Sequence, residues 1–113
     1  MREILFRGKQ CENNKWIIGY LSSKHTITIT TPCGHTDEIV ICADTVGQYT
    51  GMMDKTGNRI FEGDILSIWN ESHDVVVFED GAFDLENTSI PMRFANKFEV
   101  IGNITDNPEL LEK

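Results

Sequence analysis

The sequence predicts a mainly β fold, a small barrel or sandwich, and three observations carry that reading. Apolar residues come in short runs, several of them alternating with polar ones. Clusters of Gly, Asp, Asn and Pro recur roughly every 8–12 residues, the spacing of turns between short strands. No segment sustains the 3.6-residue period of a long helix.

Each element follows in order. EILFRG and WIIGYL are two apolar runs joined by the polar KQCENNK, which reads as a hairpin with a long loop. TITITT alternates strictly and puts Ile27 and Ile29 on one face, with threonines on the other. PCGHT is a turn, and EIVIC is apolar on both faces, so it needs cover on both. These two runs form a second hairpin. GQYTGM is strand-like, and DKTGN turns the chain: Asp54 bonds the backbone ahead of it and Gly57 takes a left-handed conformation. RIF resumes, EGD interrupts, and ILSIW is a strand. DVVVF and AFDLE flank Asp80-Gly81, the pair that suits a type I′ hairpin turn. KFEVIGNI is the last strand. Asn107 then caps a short helical turn that opens with Pro108.

At 113 residues the chain has the length of one domain, 1–113, with a core that needs no disulfide support. No apolar run approaches the ~20 residues that span a bilayer, and MREILFRGKQ is too charged for a signal peptide, so no membrane role and a cytoplasmic location are expected. Cys11, Cys33 and Cys42 are odd in number and irregular in spacing, which is not a disulfide framework; three reactive thiols are expected. Asn-x-Ser/Thr sequons at Asn70, Asn87 and Asn103 carry no meaning without secretion.

Net charge is −8 and unevenly spread. Up to Lys24 there are five Lys/Arg against two Asp/Glu; from His25 onward there are five against sixteen. The acidic bulk repels phosphate backbones and disfavours nucleic-acid binding.

REILFRG, TVGQYTGMMDKTGNRIFEGDIL, VVVFEDGAFDL and FEVIGNITDNPELL, in that order, resemble the YopX family of small phage and prophage proteins. The resemblance implies an SH3-like barrel with additional N-terminal hairpins, and a phage or prophage origin in a bacterial host. It implies no activity and no catalytic residues. Residues 21–42 match nothing in that pattern and read as a variable hairpin insertion.

Several chemistry-bearing residues also fit plainer roles. Asp54, Thr56 and Asn58 place oxygens at alternate positions, but a calcium loop needs Gly sixth and Glu twelfth, where this chain has Arg59 and Ile65. Glu62, Asp64 and Asp80 are the acids a metal-dependent hydrolase would use, yet Gly-Asp before an apolar strand is also a way to bend into a barrel. His25, Cys33, His35 and Cys42 lack the paired spacing of a zinc site, so no metal and no cofactor are expected. Tyr20, Tyr49, Phe83, Phe94 and Phe98 read mainly as core; Trp16, after a polar loop, and Trp69, at a strand end, read as exposed.

The expected function is a non-enzymatic interaction protein that binds a protein, either itself or a host factor. The binding candidates are Trp16, Tyr49, Glu62, Asp64 and Trp69. A homo-oligomer is expected through the strands of 21–42, with Ile39 and Ile41 at the contact. Two alternatives stand beside it. One is a nucleic-acid-related module, gripping a strand with the basic N-terminal segment or mimicking DNA with the acidic body. The other is the hydrolase built on Glu62, Asp64 and Asp80.

Overall fold

The computed structural model describes residues 4–69 and 71–111; Asn70 with its sequon, and the first three residues of the basic opening segment, lie outside them. The fold is mainly β, with ten strands and two short 3-10 helices among the described residues. None of those helices is long and apolar enough to cross a membrane. The single domain expected from length is built as two compact units, Met1–Tyr49 and Thr50–Lys113.

The first unit holds β1 (Phe6–Lys9), β2 (Trp16–Ser23), β3 (Thr26–Thr30), β4 (Thr36–Val40) and most of β5 (Cys42–Met53). Residues 21–42 supply the end of β2, all of β3 and β4, and the first residue of β5. The strands lie in the order β4-β3-β2-β1-β5. Strands β4 and β5 are separated in sequence by Ile41 alone, yet they sit at opposite ends of that order. The sheet must therefore curl back on itself.

Its inner face is set by alternation. Ile27 is fully buried and Ile41 is 2% exposed. A Cβ at Gly19 would collide with the Thr28 carbonyl oxygen and press on Ile27, so only glycine admits this approach of β2 to β3. Ile41 packs in the same way against Gly8. Thr45 repairs a slip of the β1–β5 register: its hydroxyl accepts from the Lys9 N–H at 2.8 Å and donates to the Cys42 carbonyl at 2.6 Å.

The second unit opens with the end of β5 and β6 (Arg59–Phe61), joined through the DKTGN turn. An antiparallel sheet follows in the order β10-β7-β8-β9, from β7 (Asp64–Ile68), β8 (Ser72–Glu79), β9 (Ala82–Leu85) and β10 (Glu99–Asn103). A 3-10 turn, Met92–Lys97, precedes β10 and drops Ala95 into the core. This small antiparallel sheet, with its 3-10 turn, encloses one core. Its centre is Ile60, Leu66, Ile68, Val76, Leu85, Ala95 and Phe98. Pro108–Leu111 forms the expected terminal turn, as a 3-10 helix. The 3-10 turn at Met92 was not anticipated, because PMRFANK is too short to show a helical period.

Asp54 locks this unit. Its Oδ1 accepts from the Thr56 N–H at 2.9 Å, the Thr56 hydroxyl at 2.8 Å and the Asn58 N–H at 2.9 Å. Its Oδ2 accepts from the Val100 N–H of β10 at 2.9 Å. Burial pushes this carboxyl up, but the hydrogen bonds from Val100, Asn58 and Thr56 together outweigh it and hold the group below 3.8.

Two predictions follow from this geometry. Asp80 and Gly81 both have positive φ, 52° and 82°, as a type I′ turn requires. A Cβ at Gly81 meets nothing, so Gly81→Val costs only backbone strain, about 1 kcal/mol or more by urea denaturation. Asp54→Asn should cost about 2 kcal/mol at neutral pH. Because the folded carboxyl lies below its unfolded value, its contribution is complete above about pH 4 and is lost as pH falls through the folded pKa. The acid limb of a stability–pH curve should therefore be shallower in Asp54→Asn than in the parent.

Candidate functional site

The residues picked out from the sequence divide sharply once placed. Tyr49, 5% exposed, and Asp64, 2% exposed, are interior and offer no binding surface. Asp64 Oδ2 accepts from the Phe61 N–H at 2.7 Å, and Gly63 beside it has φ 91°, so EGD is a bend into β7. Asp80 is spent in the hairpin turn and Glu62 is half-buried. Among the described residues no group of three His, Cys, Asp or Glu side chains converges closely enough to hold a metal ion. Trp69 is 59% exposed, with its edge toward Phe98 at 5.1 Å. Trp16 is half-buried beneath the Arg7 guanidinium, 4.9 Å from its ring centroid, and the Lys9 ammonium, at 5.9 Å. Ile41, expected at a subunit contact, instead fills the interior of its own unit. Ile39 is half-buried and pairs with Ile27, which places it on that inner face as well.

The cysteines need a correction. Cys11 and Cys42 form a disulfide, with Cα atoms 5.5 Å apart and a sequence separation of 31. Spacing could not reveal this: β1–β5 pairing sets Lys9 opposite Cys42 and so brings the loop cysteine within reach. Cys33 is free and exposed. The Thr31 hydroxyl lies 3.2 Å from its Sγ and, with a backbone hydrogen bond from His35, holds the thiol below its ordinary 9.0. His35 pairs with Asp37 at 3.1 Å.

One surface that stands open is the outer face of the curled sheet. The register aligns Arg7 with Ile18, Tyr20 with Thr28, Thr28 with Glu38 and Thr26 with Val40. Alternation puts all of these on one side. Ile18, Tyr20 and Val40 are 44%, 60% and 67% exposed. Tyr20 was read as core; its face became legible only with the pairing. Cations on β1 occupy one end of this surface and Glu38 the other.

The family described as YopX protein matches residues 5–112.

The chain belongs to the YopX family.

That match runs through residues 21–42, which the sequence pattern alone left unassigned. The YopX chain is also similar in fold to the crystal structure of protein EF1440 from Enterococcus faecalis. The TM-score is 0.63 at 24% identity, covering 99% of this chain and 100% of that one. No curated protein matches it.

Two clefts lie among the described residues of this YopX protein. In the second unit, Ser72, His73, Asp74, Asn87, Thr88 and Leu111 line one of about 440 Å³. Asp74 is buried there, but the N–H groups of Val75 and Asn87 and the Asn87 side chain occupy its oxygens. His73 Nδ1 lies 2.9 Å from the Leu110 carbonyl oxygen. That is a structural network holding the C-terminal turn. In the first unit, Gln10, Cys11 and Glu12 face Glu38, Ile39 and Val40 across a shallow cleft of about 260 Å³.

Thiol counting tests the disulfide. Unfolded without reductant, the protein should release one reactive thiol, Cys33, and three after reduction; three without reductant would refute the pairing. Cys11→Ser combined with Cys42→Ser should lower stability by roughly 3–4 kcal/mol, the chain-entropy value for such a loop. Alkylation of Cys33 in the folded protein should rise at lower pH than a free thiol, and Thr31→Val should shift that profile upward.

Proposed function

We propose that this YopX protein is a phage- or prophage-derived, non-enzymatic interaction protein of the bacterial cytoplasm. It acts by binding protein, and it pairs with a second copy of itself. One observation carries the reading: a sheet face with Ile18 and Tyr20 exposed at its middle, Arg7 and Lys9 toward one end, and Glu38 at the other. A two-fold axis through Ile18 and Tyr20 lays the cationic end of one copy over the acidic end of the next, an isologous and self-complementary contact. Charge bookkeeping supports the choice of face. The first unit carries five Lys/Arg against five Asp/Glu, whereas the second carries five against thirteen. Self-association through the neutral unit brings together the surfaces that repel least.

A second reading, binding of a single nucleic-acid strand, draws on Arg7, Lys9 and Trp16 lying together on that same face. The net charge of −8 works against it.

Light scattering after gel filtration separates these readings. At tens of micromolar the mass should be about twice 12.8 kDa. Ile18→Asp and Tyr20→Asp should each return it to the monomer with an unchanged far-UV spectrum, since both residues already face solvent. Ile39→Asp, on the inner face, should instead destabilise the unit. A monomer at all concentrations overturns the pairing. Quenching of Trp16 fluorescence by an oligothymidylate, relieved by salt, would favour the nucleic-acid reading.

A further inference from the structure

The hydrogen-bond ladder of β4 leaves one side of that strand open. β4 is the end strand of its sheet, so among the described residues only β3 pairs with it. The Thr31 N–H donates to the His35 carbonyl at 2.7 Å, and the Ile41 N–H to the His25 carbonyl at 2.8 Å. Both pairs continue the β3–β4 register. In an antiparallel ladder, hydrogen-bonded pairs alternate with non-bonded ones. Asp37 and Ile39 therefore turn their backbone groups toward β3. The N–H and C=O groups of Thr36, Glu38 and Val40 turn away from it, to the open side.

That open side is a shaped place. The cleft of about 260 Å³ runs along Glu38, Ile39 and Val40, with Gln10, Cys11 and Glu12 as its far wall. Its charged side chains are two carboxylates, Glu12 on the loop and Glu38 on the strand. Val40, 67% exposed, supplies the apolar element. The disulfide from Cys11 to Cys42 fixes the far wall to the start of β5, so the cleft keeps its width.

We infer that the β4 edge takes an extended, basic segment of a partner protein as an added antiparallel strand. Backbone groups of Thr36, Glu38 and Val40 pair with the incoming chain, and Glu12 and Glu38 receive lysine or arginine side chains that alternate with apolar ones. Charge decides the occupant. A second copy would bring its own Asp37 and Glu38 to the same edge, like against like, whereas a basic strand is complementary. The inference rests on the reading of this protein as a protein-binding module. It concerns the backbone edge of β4; the side chains of Glu38 and Val40 belong to this edge and to the outer face proposed for self-pairing alike.

The probe is a capped peptide of about seven residues alternating lysine and valine, against one alternating glutamate and valine. Amide exchange and NMR shifts are followed on the full chain. Binding of the lysine peptide should slow exchange at Thr36, Glu38 and Val40, and leave Asp37 and Ile39 as they were. Affinity should fall with salt. Glu12→Gln with Glu38→Gln should weaken it about threefold to tenfold at low salt and flatten the salt dependence. Glu38→Pro, which removes an outward N–H without touching the β3 ladder, should abolish it.

The inference is overturned if the lysine peptide does not bind, if both peptides bind equally, or if protection appears away from β4. It is overturned too if the β4 amides of the free protein become protected as its concentration rises, since a second copy would then hold the edge. The mass from light scattering is recorded alongside. A dimer without peptide binding sinks only this inference, and peptide binding by a monomer sinks only the self-pairing.

Discussion

The first unit depends on the close approach of β2 to β3 at Gly19, where any side chain would strike the Thr28 carbonyl. That approach lets the sheet bend tightly enough for Ile41 alone to carry the chain from the edge strand β4 to β5, with three strands between them in the sheet order. The bend sorts the side chains. Ile27 and Ile41 fall inside it, while Ile18, Tyr20 and Val40 remain outside. It also brings the loop that carries the Cys11–Cys42 disulfide beside the β4 edge.

The second unit uses its acids differently from the way an acidic, glycine-rich stretch invites one to read them. Asp54, Asp64 and Asp74 are all buried, at 5%, 2% and 2% exposure. Each carboxylate accepts backbone N–H bonds. A buried charge is tolerable when such donors surround it, and it then fixes the loops that supply them. Asp54 joins its own turn to β10, and Asp74 holds the backbone at Asn87. Density of Asp and Gly at Gln48–Leu66 therefore marks corners. The surplus acids remain on the surface, and the first unit carries none of that surplus.

Membership of the YopX family and the fold shared with the Enterococcus faecalis protein place both units within one known architecture. Within it, the exposed aliphatic and aromatic groups of the first unit stand out against interiors that use Ile, Leu, Val and Phe in the ordinary way. Threonines lie between them, with Arg7 toward one end of the face and Glu38 toward the other.

Local chemistry alone determined much of this protein. Strict alternation in TITIT, the Asp-Gly turn and the Asn-Pro start of the last turn were readable because each is a short-range preference of the backbone. The corner at Gly63-Asp64 was readable for the same reason. Tertiary structure decided what depends on residues far apart in the chain. Cys11 and Cys42 became partners only through the β1–β5 register. Ile41 went inside and Tyr20 outside because the sheet curls in one direction, and a two-residue period cannot say which of its faces is concave. Tyr49 and Asp64 left the list of surface residues when their strands were packed. The β4 edge appeared because strand order, which no local propensity encodes, left that strand last.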